Sequence, residues 1–334
     1  MFFNLKKIIF FVFLLGFLIF CKISNAEEFD TSSDQVILGG ETVGIKLNTG
    51  VTVSKTFAII DGVNLLKPWK DADIRENDVI VSYNKIKIES SQDLLKAINL
   101  TKGKEVDVGI LRNGNVISTK VRPVISNDSY TLGIYVKDNI IGFGTLTYVI
   151  PNSNVFGALG HKIESSNEFG GKMYEATVTG CKRGNVGEAG SKKATISTKT
   201  IGDIQKNTIT GIHGVYNGGR GNQTLISVGK KEDVYKGKAQ IVTCIDKRNV
   251  DYFDIEITGV LKQKEKDVKG IKFIVTDEKL LAETNGIIQG MSGSPIIQDG
   301  KLIGAVTHVL INNPHEGYGI FIEFMFSDMG VVLK

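Results

Sequence analysis

The sequence predicts a mainly β protein made of two units, and three observations carry that prediction. The chain has 334 residues, enough for two domains at about 100–200 residues each. Its 38 Gly against 5 Pro and one Trp describe many tight turns and close backbone approaches rather than a helical bundle. Its apolar runs are mostly short and bounded by turn residues, as strands are. An apolar content of 42% fills ordinary cores, which argues against disorder. The net charge is +4, but Lys6, Lys7 and Lys22 stand without an acid in the first 26 residues, so the remainder is close to neutral. A nucleic-acid binder driven by charge is therefore disfavoured.

Residues 1–26 have the pattern of a leader. Lys6 and Lys7 precede an apolar run over residues 8–21, and Ser24 and Ala26 are the small residues that suit cleavage before Glu27. As a helix that run rises only about 21 Å, short of the roughly 30 Å hydrocarbon core, which favours a removed signal peptide over a membrane anchor. Phe20 stands where a lipid-attachment site at Cys21 wants a small residue. The mature chain then keeps Cys181 and Cys244, and their 62 intervening residues leave a disulfide and two buried thiols equally open. The four His (His161, His213, His308, His315) show no metal-ligand spacing, and the sequence calls for no cofactor.

Between residues 36 and 124 short strands are expected over 44–47, 50–53, 78–83, 106–112 and 116–122. Leu94, Leu95, Ala97 and Ile98 fall on one face of a helix, with Ser90 or Ser91 as N-cap and Gly103 beyond its end. This stretch resembles a PDZ domain, a peptide-binding module, although Asn77-Asp78 replaces the usual Gly-Asp pair of its signature turn. Asn tolerates positive φ, so the turn survives. The resemblance implies a peptide ligand added as a strand beside residues 44–47. The polar residues 125–131 form the joint to a second unit.

The second unit, 132–334, reads as strands joined by Gly-containing turns. Gly290-Met291-Ser292-Gly293-Ser294-Pro295 precedes a short strand, an Asp299-Gly300 hairpin turn and a further strand over 302–310. Acyl transfer needs a serine hydroxyl on a tight turn whose N–H groups converge on one point, because an oxyanion develops there. In Gly-x-Ser-Gly-x-Pro the donors are the N–H groups of Gly290 and Ser292. The segment resembles the nucleophile turn of chymotrypsin-like proteases, which implies a β-barrel serine peptidase fold. His161, in Phe156-Gly157-Ala158-Leu159-Gly160-His161, is a candidate base.

Residues 142–147, 156–161 and 290–296 followed by 304–309, in that order behind a PDZ-like unit and a leader, resemble the stage IV sporulation protein B family. That resemblance implies Ser292 as nucleophile, His161 as general base and Asp277 as the orienting acid; because trypsin-like folds draw the acid from the other barrel, Asp203, Asp246 and Asp254 stay open as alternatives to Asp277. Asp277 precedes Ser292 by 15 residues and also suits an N-cap for 278–283. The resemblance further implies an exported endopeptidase of the space between forespore and mother cell. It would cleave its own N-terminal region and the ectodomain of a membrane protein, activating a late mother-cell sigma factor, with membrane association through the leader. The alternatives are a PDZ-containing envelope quality-control protease and a non-catalytic exported scaffold.

Overall fold

The computed structural model describes residues 27–29, 35–113, 115–163, 170–219 and 224–333; the leader, its cleavage site and Cys21 lie outside them. In chain order the strands that build the fold are β1 (Thr42–Thr56), β2 (Val79–Tyr83), β3 (Val106–Arg112), β4 (Asn115–Val121) and β5 (Ile134–Val149). They continue with β6 (Val155–Ala158), β7 (Gly171–Lys182), β8 (Ser191–Thr208), β9 (Gly211–Tyr216) and β10 (Gly237–Asp246). The last are β11 (Asn249–Val260), β12 (Ile271–Val275), β13 (Pro295–Gln298), β14 (Lys301–Leu310) and β15 (Asn313–Phe321). Helices α1 (Ser91–Leu100) and α2 (Glu278–Thr284) complete the frame.

Two sets of six antiparallel strands close on themselves. The first barrel runs β5–β6–β9–β8–β7–β1 and back to β5. The second runs β10–β11–β12–β15–β14–β13 and back to β10. Closure removes the edges that such strands would expose. Period-two patterning fills each interior: β11 buries Phe253, Ile255 and Ile257 while Asp254, Glu256 and Thr258 face outward. Ile45, Leu146, Phe156 and Met173 belong to the first core, and Ile241, Phe273, Met291 and Ile296 to the second. The short strand Gln35–Leu38 pairs with β5 and with Leu225–Val228, which in turn pairs with β14, so the barrels are stitched together.

The PDZ-like unit precedes most of the peptidase domain, as expected, but the first barrel also takes in the start of β1, ahead of the strands of the small unit. Residues 42–47 of β1 pair within the first barrel, whereas residues 51–52 pair with β2. β5 divides in the same way, since residues 134–138 continue the small unit and 142–149 belong to the barrel. The sequence division at 36–124 and 132–334 therefore cuts through strand pairs that the fold keeps together. Both long strands run from one unit into the other, and the hand-over is marked by irregular pairing between residues 138 and 142 of β5 and by Gly50 and Gly142 at φ 83° and 115°.

Local signals inside the small unit are as read. Ser90 caps α1 by accepting from the Asp93 N–H at 3.2 Å, and Asn77 takes φ 71°. Residues 125–131 form a hairpin of Val124–Ser126 with Ser129–Thr131. Asp78 is buried and accepts from the Arg75 N–H at 2.7 Å, Arg112 Nε at 2.7 Å and Arg112 Nη2 at 2.8 Å. It ties the signature turn to β3. Asp78→Ala leaves Arg112 with Asp73 alone, so a loss of roughly 3 kcal/mol is expected, the low end for a broken buried pair. Urea unfolding of the full chain checks it; an unchanged midpoint would refute the role.

Candidate active site

The nucleophile turn has little structure of its own and is held from both barrels. Gly290 and Gly293 take φ 94° and 92°, and a Cβ at 293 would lie 2.2 Å from Thr145 O and 2.4 Å from Leu159 N. Only Gly fits there. From the first barrel, Thr145 N–H donates to Ser292 O at 2.9 Å, Thr145 Oγ1 to Gly290 O at 2.8 Å and Thr147 Oγ1 to Gly293 O at 2.7 Å. From the second barrel, Gly293 N–H donates to Val306 O at 2.7 Å, and Ser294 N–H donates within the turn to Met291 O at 2.9 Å. Among the described residues the Gly290 and Ser292 N–H groups have no protein acceptor, and both residues are only half-buried. They are the pair expected to hold an oxyanion.

His161 reaches the same place by a sharp bend. Leu159 and Gly160 take φ 71° and 69°, and the Leu is a strained exception held by its N–H to Thr145 O at 3.3 Å. A Cβ on Gly160 would sit 3.0 Å from Thr307 Cγ2, and the His161 and His308 rings have centroids 5.5 Å apart. Ser292 Oγ donates to Thr307 O at 3.2 Å. Two side chains 131 residues apart thus converge on Thr307 and His308 of β14. Ser292 and His161 do not hydrogen-bond to each other in this state. His161 Nδ1 lies 3.0 Å from Lys162 O, and a carbonyl only accepts, so Nδ1 carries the proton and Nε2 is left as the acceptor.

Asp277 is not brought to His161, which corrects the expected triad. Its Oδ1 accepts from the Leu280 N–H at 2.8 Å and its Oδ2 from the Asp254 N–H at 3.3 Å, so it caps α2. It follows β12, and β15 stands between β12 and the β14 residues beside His161, a lateral offset of about 10 Å for two strand spacings. The alternatives to Asp277 fare no better. Asp203 pairs with Lys172, Asp254 accepts from Gln240 Nε2 at 2.8 Å, and neither these nor Asp246 bonds His161. The Lys162 carbonyl takes the orienting position instead.

The other candidates resolve as structure. His213 is buried with Nε2 3.0 Å from Thr210 Oγ1, and burial pushes its pKa down to about 4. His315 Nε2 lies 3.1 Å from Asn285 Oδ1 at the end of α2. Cys181 and Cys244 are free thiols. Residues 44–47 cannot accept a peptide strand, because β5 and β7 already pair with both edges. Residues 134–138 of β5 pair on one edge with β1, and among the described residues no strand covers the edge near α1, where Asp138 Oδ1 accepts the Ser91 N–H at 2.6 Å. Sequence reasoning missed Thr145, Thr147 and Lys192. The two threonines lie within the quoted 142–147 stretch, two apart on one strand face, whereas Lys192 beside Lys193 reads as surface.

Two closed antiparallel barrels with a serine on a Gly-flanked turn between them define a two-barrel serine peptidase. The model of the SpoIVB peptidase S55 family matches residues 128–326, and a PDZ domain model matches residues 36–122. The chain belongs to the SpoIVB peptidase S55 family and is a sporulation serine peptidase with a PDZ domain. No curated protein matches it.

The cap assignment makes a prediction. Asp277→Ala should lower stability by about 1 kcal/mol, while Asp277→Asn, which keeps one acceptor for the Leu280 N–H, should stay close to the parent in stability and turnover. Thermal melts and cleavage rates check it. A drop of about 10⁴ in the Asn variant at unchanged Tm would restore Asp277 as the orienting acid.

Proposed function

We propose that Ser292 is the nucleophile and His161 the general base of a regulatory endopeptidase. Ser292 attacks a peptide carbonyl as His161 Nε2 takes its proton, which requires the hydroxyl to turn from Thr307 O toward the imidazole. Apo hydrogen bonds of this kind commonly tighten only with substrate bound. The oxyanion rests on the Gly290 and Ser292 N–H groups, the imidazolium then protonates the leaving amine, and water releases the acyl-enzyme. The observation that supports this reading is the convergence of Ser292 and His161 on one pair of β14 residues beside two unpaired N–H groups.

The leader pattern and the family membership support an exported enzyme of the forespore–mother cell intermembrane space. Its substrates in this reading are its own N-terminal region and the ectodomain of a membrane protein whose cleavage triggers late sigma factor activation. The PDZ unit takes a peptide along residues 134–138, the edge that the barrel leaves uncovered.

Ser292→Ala and His161→Ala should each lower kcat by on the order of 10⁶, as loss of a triad serine or histidine does in subtilisin. Fluorophosphonate labelling should disappear in Ser292→Ala, and mass mapping should show a truncated N-terminus in the parent alone. Wild-type cleavage by Ser292→Ala would end the catalytic assignment. Broad degradation of casein would point to quality control instead of a regulatory cut.

A further inference from the structure

Lys192 is the one lysine or arginine that the fold buries among the described residues. It lies on β8 of the first barrel, directly behind the nucleophile turn. Its Nζ donates to Thr42 Oγ1 at 3.0 Å, Thr243 Oγ1 at 2.9 Å and Thr145 Oγ1 at 3.4 Å, and it forms no salt bridge with any described carboxylate. Three donors meet three hydroxyls contributed by both barrels. Its titratable neighbours are Cys181 on β7 and Cys244 on β10, and burial pushes both thiols up, so they are neutral near pH 7. A buried ammonium without a counter-charge is costly, so a benefit elsewhere is expected.

The contacts show where the benefit falls. An ammonium only donates, so Thr145 Oγ1 must accept from it and turn its own hydrogen elsewhere, and that hydrogen goes to Gly290 O at 2.8 Å. The backbone acts in parallel: Lys192 N–H donates to Gln289 O at 2.9 Å. In a planar trans peptide this turns the Gly290 N–H away from β8, toward the oxyanion position. The side-chain stem fills the space beneath the turn, since a Cβ on Gly290 would meet Lys192 Cδ at 3.1 Å.

We propose that Lys192 is the positioning residue of the oxyanion site, fixing the peptide groups on either side of Gly290 through Gln289 and Thr145. This rests on the assignment of Gly290 and Ser292 as oxyanion donors. Burial pushes the Lys192 pKa down to about 8, so the ammonium is present below that pH and is lost as pH rises through it.

The test is the rate of fluorophosphonate labelling of the full chain across pH 6–10, beside thermal melts. Lys192→Met should label about 10²-fold more slowly, the scale of a misplaced catalytic geometry. Its Tm should hold or rise, because an uncompensated charge leaves a buried site. The parent should lose labelling rate above pH about 8, a limb absent from Lys192→Met. Thr145→Val should slow labelling with Lys192 in place, and Thr145→Ser should restore it, so the inference stands or falls even where Lys192→Met does not fold. Labelling of Lys192→Met at the parent rate with the same alkaline limb overturns this inference alone. No labelling of the parent removes the nucleophile assignment and this inference with it.

Discussion

The whole site depends on hydrogen bonds that β5 sends across the barrel interface. A turn whose residues take left-handed φ has no ladder to stabilise it, and its carbonyls must find donors elsewhere. Thr145 and Thr147, both fully buried, supply them to Gly290, Ser292 and Gly293. With three carbonyls tied back, the amide groups of Gly290 and Ser292 are the ones left without a protein acceptor among the described residues. The serine turn belongs to the second barrel by sequence and is shaped by the first.

The same strand makes the PDZ unit part of this arrangement. β5 passes from the small unit, where residues 134–138 pair with β1, into the barrel, where it carries the two threonines. β1 runs beside it through both units. Asp78 and Arg112 hold the small unit's signature turn to β3, so that unit has its own ionic anchor and its own core of Val53, Ile80, Leu94 and Ile110.

Local chemistry made much of this readable. A nucleophile turn needs glycine on both sides of the serine, a capped helix needs a short polar acceptor at its start, and a tight hairpin needs residues that tolerate positive φ. Gly290 to Pro295, Ser90, Asn77 and Asp299-Gly300 meet those needs within a few residues, and Asp299 and Gly300 take φ 50° and 71°. Asp277 shows the limit. An aspartate before Glu-Lys-Leu-Leu suits a helix cap and an orienting acid equally well, and only the distance to His161 separates the two roles.

The sequence by itself determined the β class, the helix of the small unit and the Gly-flanked serine turn, because each rests on short-range periodicity or on residues that a tight turn requires; His161 was reached only through a family resemblance. Tertiary structure alone decided that the start of β1 helps to close the first barrel, that residues 44–47 are closed on both edges, and that Lys192 lies buried beneath Gly290. These facts depend on which strands meet across long loops, and a lysine's burial is set by what packs over it rather than by its neighbours in the chain.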